Sequence, residues 1–261
     1  RLSYECWLPR FSMNNIKSVL NKNGQVYLSA CGEDLPYLVY AKMFRYSPYD
    51  KKMPKIYFKK KLRIIFSRIS EVMTGVVPVM YEYAEAYRHY KVSLNSPIRI
   101  FNTIPLPIDT KKFTPSNIIG NRLIIFHSIS RSSKGSTYIV PALKRIANDY
   151  PDRVSVIIKS KLPYNLFLEQ LKGANIVVDK CCGYGYGMTA LIAMSCGKVV
   201  LSGNEPENEK EFGVHIPVIN ILPDSYDIYN KLCSLVNNVS LVHKVSIESR
   251  KFVEYFHDSQ I

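Results

Sequence analysis

Two short segments of this sequence contain the residue types that bind phosphate groups. The first, 128–135, reads SISRSSKG and combines small hydroxyl side chains with two cations, Arg131 and Lys134. Positive side chains at the start of a helix are unfavourable because of the helix macrodipole, unless an anion is bound there. The segment therefore predicts an anion-binding loop. A serine-rich turn that caps a helix without any ligand explains the same residues equally well.

The second segment is rich in glycine. Gly183, Gly185 and Gly187 alternate with Tyr184 and Tyr186 immediately before a stretch of helical composition. Glycine lets a ligand approach the backbone, and the first turn of a helix offers N–H groups that have no partner within the helix. The spacing differs from G-x-G-x-x-G, so the strict dinucleotide-binding fingerprint is absent. Composition alone thus gives a weak indication of an anionic nucleotide.

Both segments lie in a regular alternation of predicted strands and helices. The apolar runs, such as RLIIFH, are typical of parallel strands that are buried on both faces. Strands are predicted at 122–127, 154–159, 175–179, 198–201 and 216–219, and helices at 134–150, 163–171, 187–196, 224–237 and 240–256. The alternation predicts an α/β fold with a doubly wound, Rossmann-like parallel sheet, in which ligands bind at the carboxyl ends of the strands.

The first part of the chain is less regular. Strands are predicted at 25–30, 71–79 and 98–101, and a helix is predicted at 81–90. Pro105, Pro107 and Pro115 then mark an extended linker, where we expect the domain boundary. The predicted domains are 1–110 and 111–250, followed by a final helical segment, 251–261, that returns toward the first domain.

The composition is that of a globular protein, with 47% hydrophobic and 21% charged residues. The formal net charge of +14 predicts an anionic partner: nucleic acid, anionic lipid or a phosphorylated small molecule. If the basic and aromatic segment 51–68 is helical, it has the pattern of a helix on an anionic membrane surface, although we favour a solvated helix that packs on its own domain. The sequence contains no recognisable nucleic-acid-binding module, which argues against nucleic acid.

The cysteines and histidines predict neither a metal nor another cofactor. The six cysteines include the adjacent pair Cys181 and Cys182 but no C-x-x-C spacing, so we expect reduced, mostly buried thiols in the cytoplasm. The five histidines lack metal-ligand spacing. We see no secretory signal, and because the first residue is not Met we expect the natural chain to begin earlier. The sequence gives no indication of the oligomeric state.

The order of the motifs resembles the C-terminal half of family-4 glycosyltransferases, which have the GT-B fold. The matching segments are IPLPIDTKKF (104–113), SRSSKGSTYIVPAL (130–143), GANIVVDK (173–180) and YGMTALIAMSCGKVV (186–200). The resemblance implies a GT-B-like protein with a nucleotide-sugar-binding C-terminal domain and an abbreviated N-terminal α/β domain on the acceptor side. It also implies transfer of a sugar, with retention, to a polysaccharide or lipid-linked glycan.

The roles of individual residues follow from the same resemblance. Arg131 and Lys134 match the catalytic basic pair that holds the donor diphosphate and stabilises it as it leaves. Fixed cations and helix N-termini can stabilise this charge without a metal. The donor-binding residues implied are Ser130, Gly135, Asp179, Tyr184, Gly185, Tyr186, Gly187, Met188 and Thr189.

Three positions depart from the family pattern. Tyr184 and Ile192 occupy the positions of two glutamates that contact the donor sugar and the nucleotide ribose, and Cys31 occupies a histidine position in CGEDLP. Asp179 is a candidate substitute carboxylate, although a strand-end residue that caps a turn is an equally good interpretation. Tyr184, Ile192 and the short first domain favour an alternative function: a non-catalytic GT-B homologue that binds a glycan, a nucleotide or a partner subunit.

Overall fold

The computed structural model describes residues 13–32, 34–49 and 60–260, and the chain divides into two compact units. The first is Arg1–Pro105 and the second is Leu106–Ile261. Each unit has its own cluster of buried apolar side chains. The division lies close to the boundary predicted after residue 110, and residues 251–260 belong to the second unit.

The first unit combines a small parallel sheet with helices. Its elements are α1 (Met13–Leu20), β1 (Tyr27–Ala30), α2 (Leu35–Tyr40), α3 (Lys60–Val72), β2 (Gly75–Pro78) and α4 (Tyr81–Ser93). Strands β1 and β2 pair in parallel, from Tyr27 opposite Gly75 to Ala30 opposite Pro78. Asp34 begins α2 by accepting a hydrogen bond from the Tyr37 N–H at 3.1 Å, and it accepts a second from the Tyr87 hydroxyl at 3.0 Å. Burial raises the pKa of Asp34 to about 7 despite these two bonds.

Two strand predictions in this unit were wrong in extent. Residues 71–72 end helix α3, so the strand predicted at 71–79 covers only Gly75–Pro78. The strand predicted at 98–101 reduces to an isolated bridge between Ile100 and Val76, held by the two backbone hydrogen bonds of Val76 with Arg99 and Phe101. Prolines on both sides of this segment, at 97 and 105, remove the donors that a longer ladder would need.

The basic segment 51–68 is described only from residue 60 onward, as the start of helix α3. Phe66 and Ile69 of this helix are buried in the core of the first unit, whereas Arg68 is exposed. This is the packing expected of a basic helix that covers its own domain. None of the helices in the described ranges is long and apolar enough to cross a membrane.

The second unit confirms the predicted doubly wound α/β fold. Its elements are β3 (Leu123–Ile129), α5 (Ser136–Asp149), β4 (Val154–Ser160), α6 (Tyr164–Gly173), β5 (Ile176–Val178), α7 (Met188–Ser195), β6 (Val199–Ser202), α8 (Pro206–Phe212), β7 (Val218–Asn220), α9 (Ser225–Asn237) and α10 (Val239–Phe256). The five strands are all parallel, in the order β4-β3-β5-β6-β7.

Alternate residues of each strand face opposite sides of this sheet. Ile125 of β3 belongs to the cluster that includes Leu143 of α5 and Leu232 of α9, whereas the ring of its neighbour Phe126 meets Phe167 of α6 at 6.0 Å between centroids. Helices therefore cover both faces of the sheet, as in other doubly wound folds. Helix α8 was not predicted because its sequence, PENEKEF, is polar and lacks helical apolar periodicity.

The C-terminal helix fastens the beginning of the second unit to the rest of that unit. Arg250 of α10 donates through Nη1 to the carbonyls of Phe113, at 2.8 Å, and of Thr110 and Ser195. Beyond the helix end, the Ile108 N–H donates to the His257 carbonyl at 2.8 Å, and the Ser259 N–H donates to the Ile108 carbonyl at 3.0 Å. These bonds explain why the compact second unit begins at Leu106.

Replacing Arg250 with alanine should therefore destabilise the protein. We expect the free energy of unfolding to fall by about 2–3 kcal/mol, because backbone carbonyls lose a charged donor. Urea denaturation followed by circular dichroism measures this change. The exposed neighbour Lys251→Ala is the control and should change stability by less than about 0.5 kcal/mol. Equal stability of the two variants would contradict the anchoring role.

Candidate functional site

The sheet topology brings the two predicted phosphate-binding segments to one edge. Strand β3 lies between β4 and β5, and the chain leaves β3 toward β4 but leaves β5 toward β6. The connections after β3 and β5 therefore run in opposite directions, which creates a crevice at the carboxyl ends of these two strands. Residues 130–135 follow β3 and residues 179–187 follow β5. We refer to residues 130–135 as the basic loop and to residues 183–187, within the second segment, as the glycine turn.

An ion pair links the basic loop to the end of β5. Lys134 Nζ lies 2.6 Å from Asp179 Oδ1 and donates a second hydrogen bond to Thr189 Oγ1, in the first turn of α7, at 3.2 Å. The Asp179 side chain is 2% exposed, so its charge has to be compensated by a partner. In this geometry Asp179 orients Lys134, whereas the family resemblance implied that Asp179 contacts the donor.

The backbones of the two segments also touch. Gly135 has a left-handed backbone with φ of +81°, and a Cβ atom there would lie 2.4 Å from Cys181 Sγ and 2.7 Å from Cys182 Sγ. The Cys181 N–H donates to the Lys134 carbonyl at 3.0 Å. Only glycine therefore fits at position 135. This position also ends the short 3-10 turn Ser132–Lys134, which delays the predicted helix at 134–150 until Ser136.

The five cysteines within the described residues are free thiols, and fewer of them are buried than expected. Cys181 and Cys196 are buried, Cys182 and Cys233 are half-buried, and Cys31 is exposed; Cys6 lies outside the described residues. A hydrogen bond with the Cys182 thiol, together with burial, raises the pKa of Cys181. Cys181 therefore remains a protonated thiol that packs against the basic loop.

His127 has no predicted role, but its side chain connects the strand end at Val178 with Ser136, the residue after the basic loop. Its imidazole is fully buried, with Nδ1 2.7 Å from the Val178 carbonyl and Nε2 2.9 Å from Ser136 Oγ. Because a carbonyl can only accept, Nδ1 carries the proton and Nε2 accepts from the serine hydroxyl. Burial lowers the pKa of His127, which keeps the ring neutral. This side chain ties the end of β5 to the first turn of α5.

The glycine turn is held in place by the loop that follows β6 and by the first turn of helix α8. The Gly203 N–H donates to the Lys180 carbonyl at 2.8 Å, and a Cβ atom on Gly203 would lie 1.9 Å from the Gly183 carbonyl oxygen. The Tyr184 carbonyl accepts hydrogen bonds from the Glu205 N–H, at 2.9 Å, and from the Asn208 side chain. No motif in the sequence points to these supporting residues, because they lie about 20 positions beyond the turn.

The side chain of Tyr186 points away from the crevice. It is 1% exposed, and its hydroxyl lies 2.9 Å from His257 Nε2. The other ring nitrogen of His257, Nδ1, lies 2.7 Å from the Leu106 carbonyl. Nδ1 therefore carries the proton, and Nε2 accepts from the tyrosine hydroxyl. Burial lowers the pKa of His257 to about 4, so the ring is neutral at pH 7. At the glycine turn, Tyr186 thus presents its backbone to a ligand.

The remaining predicted residues differ in accessibility. Ser130, Arg131 and Met188 are exposed, Gly187 and Thr189 are half-buried, and Gly185 is buried. Within the described ranges, no carboxylate forms an ion pair with Arg131. Gly187 precedes α7 and supplies no side-chain cap, so the first N–H groups of this helix lack that partner. Arg131, Lys134 and the start of α7 could thus bind an anion together.

The two positions where the family has glutamate contribute no carboxylate here. Tyr184 is 7% exposed and Ile192, in α7, is 9% exposed. Among the residues that the structure describes, no group of three or more His, Cys, Asp or Glu side chains is arranged to hold a metal ion.

Comparison with known proteins identifies the fold through structure alone. No protein-family model matches the chain, and no curated protein sequence matches it. Solved structures do match. The Anabaena protein HepE, crystallised with UDP and glucose, superposes with a TM-score of 0.61 at 12% identity over 94% of this chain and 70% of HepE. Sucrose-phosphate synthase from Thermosynechococcus elongatus gives 0.60 at 16% identity over 92% of this chain and 66% of that enzyme.

A glycosyltransferase from Rickettsia africae covers 99% of this chain and 79% of its own length, with a TM-score of 0.57 at 13% identity. The chain has a GT-B fold. This confirms the predicted fold class. At such low identity the GT-B likeness establishes the fold only, and membership of family 4 stays a prediction.

Replacing Gly203 with alanine should disturb the glycine turn. The new methyl group would overlap the Gly183 carbonyl, and we expect the free energy of unfolding to fall by about 1–3 kcal/mol. Urea denaturation measures this loss. Gly173→Ala is the matched control, because a Cβ atom there meets nothing within 4 Å. A Gly203→Ala protein as stable as the control would show that the turn can yield.

Acid should destabilise the protein through His257. The unfolded side chain titrates near pH 6.5 and the folded one near 4, so between these values the unfolded state binds a proton that the folded state does not. Stability should therefore fall as the pH decreases from about 6.5 to 4, by about 3 kcal/mol from this residue.

The variant His257→Gln should lose this contribution, whereas the exposed His243→Gln should keep it. Urea titrations at several pH values between 7 and 4.5 measure the difference between each variant and the wild type. The difference isolates His257, because His127 and Asp34 also titrate abnormally but are common to all three proteins. Parallel pH profiles for wild type and His257→Gln would contradict the assignment.

Proposed function

We propose that this protein is a glycosyltransferase that transfers a sugar from a nucleotide-diphosphate donor to a polysaccharide or lipid-linked glycan, with retention of configuration. The observation that carries the proposal is the contact of Lys134 with Asp179 and Thr189, which joins the basic loop to the start of α7 at the ligand-binding edge of a GT-B fold. The matching structures support it, since HepE was crystallised with UDP and glucose.

In the proposed reaction the donor diphosphate lies between the basic loop and the glycine turn. The acceptor hydroxyl oxygen bonds to C1 of the sugar, the bond from C1 to the β-phosphate oxygen breaks, and the hydroxyl proton leaves with the released diphosphate or the solvent. Negative charge grows on the leaving diphosphate. Arg131, Lys134 and the start of α7 stabilise that charge, so the proposal includes no metal.

The acceptor, the configuration and the location in the cell rest on the sequence. The family resemblance supports a glycan acceptor and retention, and it implies that the acceptor binds on the side of the first domain. The free thiols support a cytoplasmic location. The basic and aromatic composition of segment 51–68 supports contact with anionic lipid on the inner membrane surface. We do not propose a nucleic-acid partner.

A binding screen tests the donor site. The panel consists of UDP, GDP, TDP and CMP with their sugar conjugates, measured by ligand-observed NMR and thermal shift. We expect one nucleotide to bind selectively. Arg131→Ala and Lys134→Gln should each weaken its affinity about tenfold or more, because a charged hydrogen bond to phosphate is lost.

Glutamine is preferred at position 134 because its amide can still donate to Asp179, whereas alanine would leave that buried carboxylate without a partner. The exposed Lys231→Ala, on α9, is the charge-matched control and should bind normally. Selective binding that survives both Arg131→Ala and Lys134→Gln would place the nucleotide elsewhere and refute the donor site.

The second candidate function is a non-catalytic GT-B homologue that binds a glycan, a nucleotide or a partner subunit. It is favoured by Tyr184 and Ile192, which put no carboxylate where the family has its two glutamates. Donor hydrolysis or sugar transfer that is abolished by Arg131→Ala would exclude it. Tight nucleotide binding without any turnover would favour it over catalysis.

A further inference from the structure

A chain of two hydrogen bonds connects the glycine turn to the first residue of the second unit. The Tyr186 hydroxyl donates to His257 Nε2 at 2.9 Å, and His257 Nδ1–H donates to the Leu106 carbonyl at 2.7 Å. Tyr186 lies in the middle of the turn, whereas His257 follows the last helix, 71 positions further along the chain. The connection is therefore invisible in the motif itself.

Aromatic packing closes this connection to water. Tyr186 is 1% exposed and His257 is 2% exposed. Their rings meet edge to face with centroids 5.7 Å apart, and Phe252 and Phe256 of α10 contact the imidazole at 5.3 and 5.5 Å. Water cannot replace either hydrogen bond at these burials, so the loss of one partner would leave a buried polar atom without a partner.

The glycine turn needs such an anchor because of its composition. Gly185 and Gly187 flank Tyr186, and glycine has the largest backbone freedom of all residues. A turn of this composition has many accessible conformations, and only some direct its N–H groups toward one point. The fixed side chain between the two glycines selects one of them.

We propose that Tyr186 and His257 are positioning residues that hold the backbone N–H groups of the glycine turn in the geometry that binds the donor diphosphate. This inference rests on the proposed function, because it places the donor at that turn. The inference adds His257, which lies outside every motif, to the residues on which donor affinity depends. Neither side chain touches the donor, and both act through the backbone of residues 185–188.

Three variants each remove one of the two hydrogen bonds, so the effects of the two bonds can be measured separately. Tyr186→Phe removes the hydroxyl but keeps the ring. His257→Asn places an amide donor near the position of Nδ1, so it keeps the bond to Leu106 and loses the bond to Tyr186. His257→Gln places an amide oxygen near the position of Nε2, so it keeps the bond to Tyr186 and loses the other. Tyr229→Phe is the matched control, because it removes a 2.6 Å hydrogen bond to Asp149 on α5.

The full-length proteins are compared by isothermal titration with UDP, GDP or TDP, whichever the wild type binds best. We expect Tyr186→Phe and His257→Asn to bind about fivefold more weakly, which is the effect of one buried hydrogen bond, and His257→Gln and Tyr229→Phe to bind like the wild type. Hydrogen exchange of residues 183–188 should accelerate in the two weak binders only. If the two side chains had a purely structural role, the variants would melt at lower temperatures, but weaker binding and faster exchange would not be confined to Tyr186→Phe and His257→Asn.

Wild-type affinity and unchanged exchange in Tyr186→Phe would overturn the proposal. Equal losses in His257→Gln and His257→Asn would also overturn it, because the effect would then follow the ring rather than its bond to Tyr186. If the wild type binds none of the nucleotides, the proposed function fails and the assignment to donor binding fails with it. Hydrogen exchange would then still decide whether Tyr186 and His257 fix the turn.

Discussion

The ion pair between Lys134 and Asp179 is the interaction on which the candidate site depends. The Asp179 carboxylate is 2% exposed, so a cation has to compensate its charge at close range. Removing one partner of such a pair leaves a buried charge, at a cost of about 3–5 kcal/mol. The basic loop must therefore stay within reach of the end of β5. The hydrogen bonds of His127 and the fit of Gly135 against Cys181 hold the two segments at that distance.

The glycine turn is constrained differently, through backbone contacts rather than charge. Gly203 approaches the Gly183 carbonyl so closely that no side chain fits, and the Tyr184 carbonyl has one donor from the loop after β6 and one from helix α8. Tyr186 fixes the turn from its other side. A turn with three glycines is thus held by neighbours that supply the rigidity its own composition lacks. This arrangement suits a phosphate site. Glycines allow a ligand to approach the backbone closely, while the surrounding residues fix the direction of the N–H groups.

Sequence reasoning recovered the parts of this structure that depend on local pattern. Apolar runs such as 122–127 predicted parallel strands, and the rule for doubly wound sheets placed both loops at the correct edge. It could not recover what depends on distant partners. The resemblance assigned Tyr186 to the donor through its backbone, but no local signal indicated that its ring would be buried against His257. No local signal indicated that Asp179 would pair with Lys134 either. Side-chain direction and long-range pairing follow from packing, which one sequence does not display.

In the proposed function, the balance of charge gives Arg131 and Lys134 different roles. Asp179 already compensates the charge of Lys134, so the excess positive charge at the crevice comes from exposed Arg131 and the start of α7, which carries about half an elementary charge. An arriving diphosphate would meet Arg131 first, with little desolvation. It would then share Lys134 with Asp179, and that contact would strengthen as negative charge grows on the leaving group. In the proposed reaction, a cation shared in this way would stabilise the transition state more than the bound donor, which catalysis requires in addition to binding.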